Sequence, residues 1–512
     1  MGSLIQRTTT LTGLTAAGVY RYTSGPLPRL LGRNRAAVAI VCDAPWGPTN
    51  TLWSPDNETE IYERHWPSAN QAVKDWAGLR WGKRYFVRVE GGSAAAAAYT
   101  FQTAAAANSL VCTAKYKGAF GNNIKITVTA NGTVSTSRDV RVRVLRDGVA
   151  IHDKTYAAVQ VSNGTVTDPG DPYVTFSKYS GASAQAAAAS ETALTSGSDG
   201  TITDAEVVTA LELCGGDGND IGIICFAGLE AVADDISVAV ATFAADADKG
   251  RGKLVICPTA TAKSAATIIT DSADYGNGDN VVVCWPRLRR YVRYNYLGAT
   301  RSGVFDCDAG VAMASMVQNC DPWEEPMLSV VSDKRLVDSI KGVETAYANT
   351  GNTTYGDLQA AGICAWMTDD TFGTVPRASV TLDVTTQITV KNWRYAEYIG
   401  NSIAPFLARY IGKPLDIDLA DETYGPNTRA IKAGVEGFLD IEYRAGRLVD
   451  GLNDDGSDSP AYLFDGFGLA TAPNVAAGRW DIAVQARITP TLLILVMHEG
   501  LSTTVNIVRE AA

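Results

Sequence analysis

The sequence predicts an α/β core with an inserted β-rich module and an α+β C-terminal part. Three observations carry this reading. The run Ala37-Val-Ala-Ile-Val-Cys42 is continuously apolar and bounded by turn residues, the pattern of a strand buried on both faces. Three helix-then-strand repeats follow between 201 and 285: Asp204–Leu213 leads to Ile221–Phe226, Ile236–Asp248 to Lys253–Cys257, and Ala262–Ala273 to Asn280–Trp285. Such repeats build a parallel, doubly wound sheet. Between Ser109 and Ser177 the period changes to two, with Ile124, Ile126 and Val128, then Val140, Val142 and Val144, then Val159 and Val161. Asn131-Gly132, Asp147-Gly148 and Asn163-Gly164 bound these runs, as hairpin turns do.

Residues 1–30 are rich in Thr, Gly and Pro, with extended stretches such as Gly18–Tyr22, and read as an arm. Trp46-Gly-Pro-Thr-Asn50 is a turn, Ala69–Ala77 a short helix and Arg84–Glu90 a strand. Ala-rich stretches follow at 94–98 and 104–107, and an Ala/Ser/Gly linker at 180–200. The expected organisation is an arm at 1–30, a central α/β domain from 31–108 and 180–358, an inserted β-sandwich-like domain at 109–179, and a C-terminal domain at 359–512 ending in a strand arm.

The chain has 512 residues, 46% hydrophobic and only 19% charged, with a net charge of −11. A surplus of acid argues against nucleic-acid binding, which needs Lys and Arg to neutralise phosphate. Low charge density on a large chain suits extensive contact with other protein copies. Nine cysteines show no CxxC spacing, so reduced, buried thiols are expected, with no zinc site. The first ten residues lack the apolar segment of a secretory signal. The apolar run Leu492–Met497 falls far short of the ~20 residues that span a bilayer. No membrane insertion is expected.

Catalytic and metal sites are not expected. Asp199-Gly-Thr-Ile-Thr-Asp-Ala-Glu206 copies the second half of a calcium loop, but Thr195 and Gly197 stand where oxygen ligands are needed. The alternative is a capping box between Thr203 and Glu206. His65, His152 and His498 are the only histidines, and none ends a predicted parallel strand, where α/β sites gather. Gly215-Gly-Asp-Gly218 precedes a strand rather than following one, so it is no dinucleotide fingerprint. No GxSxG, HExxH or P-loop occurs. No cofactor is expected.

Two stretches gather positive charge. Trp285–Tyr296 carries Arg287, Arg289, Arg290 and Arg293 without an acid and is expected to meet a protein partner through bidentate pairs. The helix Asn392–Ile411 has an apolar face of Tyr395, Tyr398, Ile399, Ile403, Phe406, Leu407 and Tyr410, with Pro405 expected to kink or split it. Lys391, Arg394, Arg409 and Lys413 flank that face, against Glu397; a core helix with snorkelling cations accounts for the pattern and is compatible with a functional outer face.

The order of motifs resembles the contractile tail sheath proteins of myovirus-type bacteriophages and related injection devices. Val38–Asn50 is similar to the family's opening strand and Gly-Pro turn, and Tyr85–Glu90 followed by Ala94–Ala98 to its next segment. Ala114-Lys-Tyr-Lys-Gly-Ala-Phe-Gly-Asn-Asn-Ile124 is similar to the hallmark Ala-Lys-Tyr-x-Gly-x-Trp-Gly-Asn-x-Ile, with Phe120 in place of Trp. Leu194-Thr-Ser-Gly-Ser-Asp-Gly200 resembles Leu-x-Gly-Gly-x-Asp-Gly, with Ser196 replacing a glycine. Gly362–Thr368 and then Val390–Ile411 resemble the family's Trp-containing strand and tube-facing helix. The resemblance spans about 35–510.

The resemblance implies a subtilisin-like α/β domain without protease activity; Gly310–Met316 only faintly echoes a nucleophile segment. It implies subunits stacked as hexameric rings around a tail tube, between baseplate and tail terminator proteins. Contraction would drive the tube through a host envelope without consuming nucleotide. The place implied is the virion tail, assembled in the host cytoplasm. Lys391, Arg394, Glu397, Arg409 and Lys413 would then face the tube. Arg287, Arg289, Arg290 and Arg293 would meet neighbouring subunits, as would Val505 and Ile507 in the final strand Leu501–Val508, which suits addition to a neighbour's sheet edge. The competing readings are a subtilisin-like serine hydrolase and a non-contractile virion structural protein.

Overall fold

The computed structural model describes residues 5–8, 19–22, 37–56, 60–61, 70–131, 136–215, 219–246, 248–297, 299–326, 340–345, 353–369, 373–385, 388–452 and 457–489. Val505, Ile507, His65 and His498 lie outside the described residues.

Within the arm, β1 (Ile5–Thr8) and β2 (Val19–Tyr22) pair in parallel and run beside the Val390–Ala408 helix of the same chain. The core opens with β3 (Ala37–Asp43), α1 (Gln71–Trp76) and β4 (Arg84–Val89). The chain then leaves to build the module from β5 (Ala98–Gln102), β6 (Asn108–Ala114), β7 (Ile124–Ala130), β8 (Ser137–Arg146), β9 (Val149–Val161), β10 (Val174–Lys178) and β11 (Ala189–Ala193). It returns with α2 (Asp204–Cys214), β12 (Ile221–Ala227), α3 (Ser237–Ala245), β13 (Leu254–Ile256), α4 (Ala265–Asp271) and β14 (Val281–Trp285). A long hairpin, β15 (Leu288–Tyr296) and β16 (Ala299–Cys307), precedes α5 (Ala309–Asn319), β17 (Ile340–Val343), α6 (Thr353–Ala360), β18 (Ile363–Asp369) and β19 (Gly373–Pro376).

The central sheet has the order β19-β18-β14-β13-β12-β3-β4. All its strands are parallel except β19. Because successive side chains alternate, Val38, Ile40 and Cys42 enter one core layer while Ala39 and Val41 enter the other. Helices α1 and α5 cover the first layer, and α2, α3, α4 and α6 the second. Each fully buried Val or Ile of these strands contributes about 1.5–3 kcal/mol. The three predicted helix-strand repeats are the heart of this sheet.

The module is a sandwich of a three-stranded sheet, β10-β6-β5, and a four-stranded sheet, β11-β7-β8-β9. Phe101, Leu110, Val174 and Phe176 face Ile126, Val128, Val140 and Val142 across its core. It runs from Ala98 to Ala193, wider than the expected 109–179. Two of its edge strands leave a weak mark on the sequence: β5 offers only Tyr99 and Phe101 at alternate positions beside an Ala-rich stretch, and Ala189-Ser-Glu-Thr-Ala has no large apolar residue. The outward face of its larger sheet is a ladder of ion pairs: Arg141 grips Asp153 at 2.7 and 2.5 Å, and Glu191 takes Lys125 and Arg143 at 3.1 and 3.2 Å.

The C-terminal part centres on α7 (Val390–Ala408) and α8 (Pro426–Arg444). The first of these belongs to two cores at once. Val390 and Trp393 enter the central layer beneath the sheet, while Tyr395, Ile399 and Ile403 pack with Ile431, Val435 and Leu439 of α8. The helix is not split at Pro405; it runs on to Ala408, and Pro405 removes the single bond that its N–H would have made to the Asn401 carbonyl. All nine cysteines are buried and unpaired, and burial pushes the Cys214 thiol up to about 12. Among the described residues, no helix is long and apolar enough to cross a membrane. Since Trp393 fastens α7 to the central core, Trp393→Ala is expected to cost about 3–5 kcal/mol; urea unfolding followed by circular dichroism checks this.

Candidate functional site

In a doubly wound sheet, ligands collect at the carboxyl ends of strands where the order reverses. Here the reversal lies between β3 and β12, and it is filled from within the chain. Asp75 of α1 accepts the backbone N–H of Gly228 (2.9 Å) and of Asp308 (3.0 Å), and an N–H of the Gln71 side chain (2.8 Å). Asp308 caps α5 by accepting from Val311 N–H (3.0 Å), and its other oxygen takes Thr259 N–H (2.7 Å). Arg287 pairs with Glu230 at 3.0 Å and donates to the Asp306 carbonyl at 2.8 Å. Arg290, with none of its surface exposed, donates to the carbonyls of Asp75 (2.5 Å) and Ala77 (2.8 Å). The network therefore fastens α1, the exits of β12 and β14, the long hairpin and α5.

These contacts correct the expectation that Arg287 and Arg290 meet another subunit. Leu288, Arg290 and Val292 share one face of β15 and are buried, while Arg289, Tyr291 and Arg293 share the exposed face. The period-two placing of Arg290 between Leu288 and Val292 is the sequence signal that marks it as interior. Ser315, the serine of the segment that echoes a nucleophile, lies deep in α5, where its hydroxyl donates to the Arg80 carbonyl at 2.7 Å. Burial is the main cause that pushes Glu230 up to about 9 and Asp308 up to about 7; neighbouring Asp75 adds to it, and Arg287 opposes it.

The two motifs most characteristic of the sequence, Ala114–Ile124 and Leu194–Gly200, meet where the chain enters and leaves the module. Asn122 and Gly197 exchange two hydrogen bonds, both 2.9 Å. The Asp199 carboxylate accepts Ala119 N–H at 2.7 Å. Gly118 has a φ of +129°, and a Cβ at Gly197 would sit 2.6 Å from the Gly118 carbonyl oxygen, so both positions require glycine. Above this knot, Trp46 packs against Tyr116 (5.2 Å), Phe120 (5.2 Å) and Tyr173 (5.9 Å). Below it, Arg88 of β4 donates to the carbonyls of Ala44 (2.6 Å), Gly47 (3.0 Å) and Lys117 (2.9 Å). The motifs are thus the neck that joins the module to the sheet. Trp46 belongs to the Trp46–Asn50 turn marked by the sequence, and the sequence signal for Arg88 is a cation between Val87 and Val89 in the buried half of β4. The calcium-like loop is absorbed into this neck, with Glu206 turned back to accept Thr203 N–H (2.8 Å) as in a capping box. Among the described residues, no cluster of three or more His, Cys, Asp or Glu is arranged to hold a metal ion.

His152 belongs to the module, where its Nε2 lies 2.8 Å from Asp171. The Tyr156 hydroxyl donates to the same oxygen at 2.8 Å, and the other oxygen accepts Tyr173 N–H (2.7 Å) and Val174 N–H (3.0 Å). Burial raises the Asp171 carboxyl, but these hydrogen bonds outweigh it and hold the group below the ordinary range.

The positive charges of α7 divide sharply. From Val390 to Ala404 the helix is enclosed on nearly every side. Lys391 donates to the Thr489 carbonyl (2.7 Å), and Arg394 to the carbonyls of Cys320 (3.0 Å) and Asp321 (3.3 Å). Glu397 is buried as well. This corrects the expectation that Lys391, Arg394 and Glu397 face a tube: a helix wedged between two cores has no outward side there. Arg409 and Lys413 are exposed, with the Lys413 ammonium 4.6 Å from the Tyr410 ring centre.

Two outcomes follow. Arg88→Ala strands three carbonyls at the neck and is expected to cost about 3 kcal/mol, visible as a lower thermal midpoint and faster proteolysis between 91 and 200. The pH behaviour has two limbs. A carboxyl held low, such as Asp171, stabilises the fold above its unfolded pKa, and that stability is lost as pH falls through the folded value. Carboxyls held high, such as Glu230 and Asp308, stabilise below their unfolded pKa and lose that as pH rises through about 7 to 9. Glu230→Gln is expected to reduce the fall in urea midpoint between pH 5 and pH 9.5, and Asp171→Asn the fall below pH 4.

No protein-family model matches the sequence, and no curated protein sequence matches it. Solved structures do. The sheath tail protein from Desulfitobacterium hafniense is 15% identical, with 92% of this chain and 100% of that chain covered and a TM-score of 0.52. The sheath tail protein from Listeria innocua is 14% identical over 90% of this chain and 96% of that one, with a TM-score of 0.51. A chain of the anti-feeding prophage baseplate in the contracted state is 11% identical over 97% and 100%, with a TM-score of 0.53.

Proposed function

We propose that this chain, which shares the fold of tail sheath proteins along nearly its whole length, is a sheath subunit of a contractile tail or injection device. The observation that carries this reading is the coverage: both the central sheet and the C-terminal part fall within chains described as sheath tail proteins. Subunits stack as hexameric rings around a tail tube, capped by baseplate and terminator proteins. Contraction moves the tube through the host envelope by exchanging one packing for another of lower energy. The subtilisin-like domain serves as scaffold, and the work is mechanical rather than enzymatic. The place is the virion tail, after assembly in the host cytoplasm.

Three features support the details. The neck and the long hairpin both tie the module to the core, which suits a unit displaced as one body. The ion-pair ladder on the module's outer sheet suits a face turned to solvent. Arg409 and Lys413, exposed just beyond the enclosed part of α7, are the charges best placed to meet an acidic tube, while Arg289 and Arg293 are those available to a neighbour. The arm at 1–30 and residues 501–508, with Val505 and Ile507, are proposed to meet the sheets of adjoining subunits.

The test is electron microscopy of the purified full-length chain, alone and with its tube. Hollow striated cylinders are expected, and dispersed monomers under all conditions would overturn the reading. Arg409→Glu with Lys413→Glu is expected to abolish cylinders on the tube while leaving sheath-only polymers; normal decorated tubes would refute the tube contact.

A further inference from the structure

Resting on the self-assembly proposed above, we infer that the outer face of the β17-β15-β16 sheet docks a second copy of this chain through that copy's acidic Asp418–Glu422 turn. Three observations lead here. The inner face of the sheet is closed by Leu288, Arg290 and Val292, all buried. The outer face is not: Tyr291 and Val304 stand directly opposite one another and are 45% and 57% exposed. Large apolar side chains ringed by cations are the composition of an interface centre rather than of a solvated sheet.

The charges around this pair are unbalanced. Arg289 is partnered by Asp306 at 3.3 Å, but Arg293 and Lys341 are exposed and have no ion pair among the described residues. β16 is the edge of its sheet, so backbone groups beside the patch are open to a partner strand. The surface is also held rigid. The Tyr296 hydroxyl at the hairpin tip donates to Asp147 of the module, and the Arg146 guanidinium lies 4.6 Å from the Tyr296 ring centre.

The complement is on the same chain, elsewhere. Asp418, Asp421 and Glu422 are exposed and have no ion pair among the described residues. Their turn is ordered by Asp418, whose carboxylate accepts Ala420 N–H (2.9 Å) and Asp421 N–H (3.3 Å). Two uncompensated patches of opposite sign that do not pair within one chain can pair between two. Such a contact is heterologous, the kind that builds open stacks rather than closed dimers. In a chain of net charge −11, copies repel at long range, so a local attraction of this type makes assembly salt-sensitive.

The experiment uses full-length chain, followed by sedimentation velocity and electron microscopy at 50 mM and 500 mM salt. Arg293→Glu with Lys341→Glu should lower the associated fraction at least tenfold at 50 mM salt, with an unchanged thermal midpoint because all these side chains are exposed. Asp421→Lys with Glu422→Lys should do the same, and mixing the two variants should restore association. If the Arg293/Lys341 variant forms cylinders like the parent chain, the docking surface is wrong and the sheath reading stands. If the parent chain associates at low salt through these residues but never forms cylinders, the docking surface stands and the sheath reading falls. A parent chain monomeric at every salt concentration overturns both.

Discussion

Four buried arginines hold this molecule together, each by reaching backbone carbonyls of parts of the chain distant in sequence from its own position. Arg88 gathers Ala44, Gly47 and Lys117; Arg290 gathers Asp75 and Ala77; Arg394 gathers Cys320 and Asp321; Arg287 joins the Asp306 carbonyl to Glu230. A guanidinium suits this use because its five donors lie in a rigid plane and stay charged when desolvated. The carbonyls it serves sit at chain crossings where no helix or sheet partner is available, and each would be costly to bury unpaired. Module, hairpin, central sheet and α7 all meet at such crossings.

That arrangement gives the chain's low charge content a structural meaning. With 19% charged residues, several of the most conspicuous cations, Arg290 and Lys391 among them, are interior. Exposed charges left without an ion pair are suited to orienting contacts between copies, because they add specificity more than affinity.

The same economy bears on how force is transmitted in the proposed assembly. Helix α7 contributes Trp393 to the central core and Tyr395, Ile399 and Ile403 to the C-terminal core. A displacement of one core must carry the other with it, since packed interiors shift between discrete arrangements rather than deform smoothly. The neck around Trp46 and Arg88 extends that rigid coupling to the module.

Sequence by itself determined the parallel strands, their helices and the existence of a hairpin-rich insertion, because burial on both faces and period-two alternation leave a direct mark on composition. It also marked the glycine-bearing motifs of the neck, though as a resemblance rather than as a joint. Only the tertiary structure decided which cations are outside. Arg394 and Arg409 lie on one helical stretch and the local pattern treats them alike; the period of two separates Arg289 from Arg290, but the packing decides which of their two faces is interior. Their fates part because one side of β15 rests on α1, and one end of α7 is wedged between two cores while the other emerges after Pro405. One edge of the module was hidden for a related reason: β11, made of Ala, Ser, Glu and Thr, acquires its place from the neighbour it pairs with, not from an apolar signal of its own.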